Sequence, residues 1–221
     1  MKKNITIITA LVCAAACVVS VMVLARKVNN NDDSDVLMDT TAVTDSITTD
    51  SETTSTPETL PPYISPKDFT ELKKLYPHIH GWLQIENSYI DYPVVQHPTD
   101  DTFYYRKSAE GENDERGCIM TEHIYNRTDF EDPVTVLYGH YVGTTGKFEF
   151  FGGLQEMYSA ENYKTYENIT VYHKDKELKY QFYCAVKYDT QHIPWNYDFS
   201  DPESYNKFLD RVASMTGPDM V

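Results

Sequence analysis

Three side chains of this sequence have types and surroundings that suit thiol and proton-transfer chemistry. His140 follows a short apolar run and Gly139, so a strand ending there would present the imidazole where glycine lets another molecule come close. Cys118 and Cys184 are the thiols outside the N-terminal apolar segment. A thiolate can attack an acyl group, and a neighbouring histidine can carry the proton. The alternative for His140 is a structural histidine at a strand end.

Strand alternation places the Cys184 thiol in the core. Between Leu178 and Lys187, Cys184 shares a strand face with Tyr180 and Phe182. Burial raises the pKa of a thiol and hides the sulfur, which is the opposite of what a nucleophile needs. We expect both thiols to be buried and free, with a disulfide between them as the alternative.

Two further residue types invite other chemistry. His78 and His80 could offer two imidazoles to one metal ion, but no cysteine or carboxylate cluster nearby completes a ligand set. We expect no metal site and no cofactor. Arg211, the only arginine after His140, falls in a predicted helix, so we assign no cationic donor for an oxyanion.

Short strands separated by turn residues must position these side chains. Apolar residues at helical spacing predict a helix over residues 68–76 and a second over residues 202–212. The predicted strands are Gly81–Ile85, Ile90–Gln96, Gly117–Thr121, Pro133–Tyr138, Ile169–His173 and Leu178–Lys187. This pattern predicts a mainly β protein built as a closed or nearly closed β-barrel.

The first 66 residues have a different character. Residues 5–25 carry no charge and would span about 30 Å as a helix, so we expect residues 1–27 to be a transmembrane anchor. A cleaved signal peptide is the alternative, although its apolar region is usually about 7–15 residues long. Residues 28–66 are rich in Ser, Thr, Asp and Pro and should form a disordered linker. We expect the N-terminus inside the cell, the lipid bilayer to be contacted through residues 5–25, and the domain at 67–221 outside.

The charge of the chain argues against one class of partner. The formal net charge is −15 at pH 7. Binding to a phosphate backbone requires a basic stripe that releases counterions. We therefore expect no nucleic-acid partner.

Four short motifs carry a resemblance to a known family. Gly81–Ile85 and then Ile90–Gln96 are followed by Gly117–Met120, with the sequence Gly-Cys-Ile-Met, and by Val136–His140. In this order they resemble the first strands, the Gly-Ser-Ile-Phe strand and the histidine strand of class B sortases, which are cysteine transpeptidases of the bacterial cell surface. The resemblance extends over residues 66–221.

The resemblance implies a fold, a reaction and partners. It implies an eight-stranded β-barrel with His140 as the catalytic histidine. Family members cleave the sorting signal of a surface protein at a threonyl peptide bond through a cysteine thioacyl intermediate, and transfer the protein to a peptidoglycan amine of the cell wall. The stretch from Thr190 to Trp195 resembles the loop that walls one side of the cleft, so Thr190 and Trp195 are candidate substrate-binding residues.

Two motifs that the resemblance implies do not occur in the sequence. The family nucleophile ends a Thr-Leu-x-Thr-Cys strand after a helix-bearing insertion, and an arginine lies on the next strand. Neither precedes Val221, so we expect the barrel to be incomplete in this chain and the chain to be inactive. The alternative is a non-catalytic surface module that binds sorting signals or a partner protein.

Overall fold

The regular structure of the computed structural model consists mainly of β-strands. The model describes residues 6–12, 19–26, 62–144, 147–152, 154, 163–166, 168–187 and 196–215. Within these ranges the strands are β1 Thr6–Val12, β2 Val19–Arg26, β3 Ile79–Ile85, β4 Asp91–Val95, β5 Val134–Thr144, β6 Lys147–Phe150, β7 Asn168–Tyr172 and β8 Glu177–Lys187. The α-helices are α1 Phe69–Leu75 and α2 Pro202–Met215. The mainly β class and both helices are thus confirmed.

The strands form one eight-stranded sheet in the order β4-β3-β7-β8-β1-β2-β5-β6. Two isolated bridges at Met120, parallel with Val95 and antiparallel with Tyr138, connect β4 to β5. The strand predicted over Gly117–Thr121 is reduced to these bridges. The two regions of the sheet therefore meet at Met120 without a continuous ladder, and the predicted closed barrel is not found in the described residues.

The N-terminal apolar segment lies in this sheet. Strand β1 pairs with β2 and runs parallel to β8, whereas β2 runs antiparallel to β5. Strand β1 contains two Ile, two Thr and one Val, and β2 contains three Val, whose branched side chains favour extended backbone. No helix in the described part of the chain is long and apolar enough to cross a membrane. The predicted transmembrane helix over residues 5–25 is therefore not supported, and residues 28–61 of the predicted linker lie outside the described residues.

Strand β5 is buried on both faces, and this determines where its side chains point. Leu137 belongs to a core cluster with Leu83 and Phe130, whereas Val136 and Tyr138 belong to a second cluster. The second cluster also contains Phe69 of α1 and both Phe208 and Val212 of α2. The face of β5 that carries its even-numbered residues, His140 among them, is therefore the face that contributes to the same core cluster as the two helices.

Helix α1 begins where the sequence predicts. Asp68 is its N-cap, and its Oδ1 accepts hydrogen bonds from the backbone N–H groups of Thr70 (2.9 Å) and Glu71 (3.2 Å). Pro77 follows the C-terminal residue Tyr76. Because a residue before proline disfavours helical backbone, the helix ends there and the chain enters β3.

A buried hydrogen-bond network joins β3 and β4 to the segment before β5. Nε2 of His80 lies 2.9 Å from Oγ1 of Thr121, and its Nδ1 lies 3.1 Å from the carbonyl oxygen of Thr128. The Gln96 amide donates to the same Thr121 oxygen (2.9 Å) and to the carbonyl of Asn126 (2.8 Å). Because all these groups are withdrawn from water, each bond has to be kept for the loop to stay in place.

Asn126 extends the network to the start of β5. Its Nδ2 donates to the carbonyl of Val134 (2.8 Å), and its Oδ1 accepts from the N–H of Val136 (3.0 Å). These bonds take the place of backbone pairing with a neighbouring strand at the first residues of β5. They fix the beginning of the strand that carries His140.

Candidate functional site

His140 lies within β5 and not at its end. Beyond it the strand pairs with β6, from Tyr141 opposite Phe150 to Thr144 opposite Lys147. On the other side, Val19 of β2 lies opposite His140. The expectation of a strand that ends at residues 138–139 is wrong, because the hairpin with β6 extends the ladder.

Gly139 makes room for a side chain of this protein. A Cβ atom at this position would lie 2.8 Å from Cδ2 and 3.0 Å from Cγ of Phe151. Phe151 is fully buried in the first core cluster. The glycine is therefore explained by the packing of Phe151, and the expected close approach of a bound molecule is not needed to account for it.

The imidazole of His140 is half-buried. Burial lowers its pKa, and the positive charge of Arg106 lowers it further, whereas the backbone and carboxylate of Glu115 act in the opposite direction. Its Nδ1 is buried and has no hydrogen-bond partner among the described residues. A neutral imidazole with a nitrogen free to accept a proton can act as a general base, and as the acid once it is charged.

Arg106 and Glu115 place opposite charges near His140. The Nη1 atom of Arg106 lies 3.5 Å from Oε2 of Glu115, and both side chains are exposed. Exposed pairs of this kind contribute little stability, typically about 0–1 kcal/mol. Their effect at the site is to tune the charge of the imidazole.

A buried carboxylate attaches the turn that carries Arg106 to strand β5. The turn is the 3₁₀ segment Phe103–Arg106, and its Tyr105 hydroxyl donates to Oε1 of Glu122 at 3.3 Å. Glu122 is 4% exposed and also hydrogen-bonds Tyr138. Burial raises the pKa of Tyr105 to about 12 and raises that of Tyr138. Both hydroxyls therefore remain hydrogen-bond donors. Tyr138 lies two residues before His140 along β5.

Cys118 lies beside the histidine strand. Met120 and Tyr138 form an antiparallel bridge with N–H···O bonds of 2.9 and 2.8 Å, and the same register counted two residues further sets Cys118 opposite His140. The thiol is free and 6% exposed. Burial raises its pKa, and the carboxylates of Glu110 and Asp114 raise it further. The prediction of a buried free thiol is confirmed, and such a thiol is a poor nucleophile.

Two grooves open on the surface of the described residues. The larger, about 420 Å³, lies on the polar face of β3, β4, β7 and β8 and contains none of the candidate catalytic residues. The smaller, about 190 Å³, adjoins Cys118. Its lining is Tyr76, Tyr92, Pro93, Ser108, Ala109, Glu110, Asp114, Arg116, Gly117, Cys118, Ile119 and Phe150. We call this smaller groove the aromatic groove.

The other candidate residues from the sequence do not join His140: some lie outside the described residues, and the two histidines belong to other contacts. Thr190 and Trp195 lie outside the described residues, as does the side chain of Cys184, whose backbone is in β8. His78 hydrogen-bonds the Tyr104 hydroxyl (2.9 Å), whereas His80 belongs to the buried network. The two imidazoles therefore serve different networks and do not form a pair of metal ligands.

Sequence reasoning missed the charged and buried groups around His140. Arg106, Glu115 and Glu122 come from the irregular segment between β4 and β5. No spacing rule relates such residues to a strand that is formed later in the chain. Only Glu122 carried a signal, because it directly follows the motif Gly117–Thr121.

Comparison with known proteins identifies similar sequences. No family model matches the sequence. The chain is 28% identical over 144 residues to sortase B of Staphylococcus aureus, which covers 65% of this chain and 57% of that protein. It is 33% identical over 73 residues to sortase B of Listeria monocytogenes, covering 33% of this chain and 29% of that protein. The matched part of the chain thus spans little more than half the length of S. aureus sortase B and less than a third of L. monocytogenes sortase B.

Solved structures show the same fold. A Bacillus anthracis protein described as similar to sortase B superposes with a TM-score of 0.56 at 23% identity, covering 70% of this chain and 73% of that one. A complex of S. aureus sortase B with substrate superposes with a TM-score of 0.54 at 25% identity, covering 66% of each chain. The motif resemblance is therefore confirmed in sequence and in fold.

Proposed function

We propose that this homologue of the class B sortases serves as a sortase-type cysteine transpeptidase, with His140 as the residue that moves the proton. Support comes from the similarity to two sortase B proteins. The observation that carries the role of His140 is its Nδ1, which has no partner among the described residues, in an imidazole whose pKa is lowered by burial. His80, whose two ring nitrogens are both bonded, shares the lowered pKa but not the unpartnered nitrogen, so it is the Nδ1 atom that distinguishes His140 from a structural histidine.

The proposed reaction transfers an acyl group between two amines. A cysteine thiolate attacks the carbonyl of a threonyl peptide bond, the carbon–nitrogen bond breaks, and the leaving amine takes a proton from the imidazolium of His140. An acceptor amine of the cell wall then attacks the thioester, gives its proton to the neutral imidazole and releases the thiolate. Together the two half-reactions return His140 to the imidazolium and the cysteine to the thiolate. The substrate complex of S. aureus sortase B supports a sorting-signal peptide as the donor.

The nucleophile is a separate question, and the structure bears on one thiol. Cys118 is level with His140, yet it is buried and its pKa is raised. We propose that Cys118 is not the nucleophile. Strand alternation in the sequence groups Cys184 with Tyr180 and Phe182, so we also propose that residues 1–221 alone are inactive. The buried state of Cys118 also favours the second candidate function, a surface module that binds sorting signals without cleaving them.

Peptide cleavage tests the proposal. The natural gene product is incubated with a quenched library of peptides that contain a threonyl bond, with and without an amine acceptor. We expect cleavage that His140→Ala lowers by about 10²- to 10⁴-fold, whereas Cys118→Ser leaves it unchanged. Binding of the peptides without any cleavage would support the non-catalytic module instead. Cleavage by residues 1–221 alone that Cys184→Ala abolishes would refute the assignment of the thiols.

Location at the cell membrane is a further proposal, supported by the uncharged run of residues 5–25 and by Lys2 and Lys3 before it. The same residues form β1 and β2, and in one molecule they cannot lie in the sheet and span a membrane at the same time. Fractionation of cells that express the chain with and without residues 1–27 tests the proposal. We expect the full chain to sediment with membranes and to need detergent for release; release by high salt alone would refute it.

A further inference from the structure

The aromatic groove has walls of aromatic rings and a rim of carboxylates. The rings of Tyr92 and Phe150 lie 5.0 Å apart at 36°, and Tyr76, the C-cap of α1, forms another part of the wall. Glu110 and Asp114 come from the loop that precedes Cys118. A groove of this kind offers apolar surface to a hydrocarbon chain and negative charge to its end.

The charges of the groove are not balanced within the described residues. Arg116 is held by Asp114 (2.7 Å) and by Glu149 (2.7 Å), so its positive charge is already compensated. Glu110 is exposed, and no cationic group of the described chain lies within ion-pair distance of it. Burial raises the pKa of Tyr76 and of Cys118, and the negative charge of Glu110 raises both further, so that charge acts on both sides of the groove. The carboxylates of Glu110, Asp114 and Glu149 thus outnumber the one guanidinium of Arg116, and the groove keeps a net negative charge.

This combination selects a particular ligand chemistry. The faces of aromatic rings attract ammonium groups, by about 0.5–1 kcal/mol at exposed sites. A carboxylate at the rim adds a charge-assisted hydrogen bond, and the apolar walls accept the methylene chain that carries the ammonium. Anionic ligands are repelled by Glu110, and neutral aliphatic chains gain nothing from it.

We propose that the aromatic groove binds a primary alkylammonium group, of the kind that ends a lysine side chain. The inference rests on the proposed function for its place in the reaction. Cys118 in the groove is level with His140, and Glu115, which acts on the charge of His140, lies between Asp114 and Arg116. The groove therefore shares its loop with Glu115, which acts on the charge of His140, the residue that takes the proton in the proposed reaction. The source of the bound ammonium group is either the acceptor amine or a basic residue of the sorting peptide.

Binding is measured with Nα-acetyl-lysine amide as the probe, titrated into the ¹⁵N-labelled chain and followed by NMR. The matched control ligand is Nα-acetyl-norleucine amide, which keeps the hydrocarbon chain and lacks the charge. We expect shifts at the backbone amides of Ala109, Glu110 and Cys118 with the lysine probe. Glu110→Gln should weaken binding by roughly three- to tenfold, as expected for loss of one exposed charge pair with its ring contacts. Glu112→Gln, on the same loop and outside the groove, should leave it unchanged.

Several results would overturn the inference. Equal binding of the norleucine probe would make the groove merely apolar, and unchanged binding after Glu110→Gln would remove the carboxylate from the site. His140→Ala separates this inference from the proposed function, because it should abolish transfer and leave lysine binding intact. Lysine binding by a natural gene product that transfers nothing would sink the proposed function alone.

The two sources are distinguished in the transfer assay. If the acceptor amine occupies the groove, Glu110→Gln should raise the KM for the acceptor by roughly three- to tenfold and leave the KM for the peptide unchanged. If a basic residue of the sorting peptide occupies it, the variant should raise the KM for lysine-containing peptides and spare their norleucine analogues. An unchanged KM in both arms would contradict the inference.

Discussion

Acid should destabilise the fold through the buried imidazole of His80. The network assigns its neutral form: Nδ1–H donates to the carbonyl of Thr128, and Nε2 accepts from the hydroxyl of Thr121, which itself accepts from Gln96. A second proton on Nε2 would set two donors against the Thr121 oxygen and leave its hydroxyl hydrogen without an acceptor. Protonation therefore breaks the network that holds the segment before β5.

The size of the loss of stability in acid follows from the pKa of His80. Burial lowers the pKa of His80 from 6.5 to about 4. The unfolded chain binds this proton near pH 6.5, whereas the folded chain resists it until about pH 4. The free energy of unfolding is therefore greatest above pH 6.5 and falls by up to about 3 kcal/mol as the pH drops to about 4. His173, whose pKa burial also lowers, acts in the same direction.

Urea unfolding between pH 7.5 and 4, followed by tryptophan fluorescence, measures this fall. His80→Gln should be less stable at pH 7.5 and should lose about 3 kcal/mol less than the wild type over the same pH range. His173→Gln measures the contribution of the second buried histidine, and His97→Gln, at a partly exposed position, serves as the control. An identical pH dependence in the wild type and His80→Gln would refute the reasoning.

Three other perturbations test separate parts of the structure. Gly139→Ala should cost about 1–3 kcal/mol in urea unfolding because its Cβ would contact Phe151 at 2.8 Å, and Phe151→Leu in the same chain should reduce that cost; additive costs would contradict the packing. Asn126→Ala should cost about 2–4 kcal/mol because it removes bonds to Val134 and Val136, whereas Asn206→Ala, at an exposed position of α2, should be nearly neutral, and equal effects would exclude a special role for Asn126. Cys118 should resist iodoacetamide in the native protein and react after denaturation, as read by mass spectrometry of its peptide; rapid native alkylation would show that the thiol is not buried.

Local patterns in the sequence predicted the elements that local patterns determine. The first helix is correct because Asp68 and Pro77 mark its ends, and β3, β4, β7 and β8 follow runs of apolar and β-branched residues between turns. The strand over Gly117–Thr121 was only partly right, because pairing there is limited to Met120. Strand β6 was missed, since a run of only four residues has too short a pattern to stand out.

The site was harder to predict because it depends on contacts between distant residues. The position of His140 followed from a motif, but its surroundings come from Arg106, Glu115 and Glu122 on an irregular segment. The N-terminal apolar run, residues 5–25, shows most clearly that a sequence pattern alone does not decide between a helix and a strand. Long apolar segments rich in β-branched residues satisfy the patterns of both a buried helix and a buried strand, and only the available partners decide between them.

The place of β1 in the sheet has a consequence for the order of events during synthesis. Thr6 pairs with Tyr180 and Val19 with His140, so the first strands to leave the ribosome have partners that are made much later. At about 5–20 residues per second, the earliest strand waits roughly 10–35 s for β8. During that interval an apolar hairpin is exposed, and a membrane or a chaperone can capture it before the sheet does. Whether these residues enter the sheet or are bound elsewhere then depends on which partner is reached first, and therefore on the rate of translation.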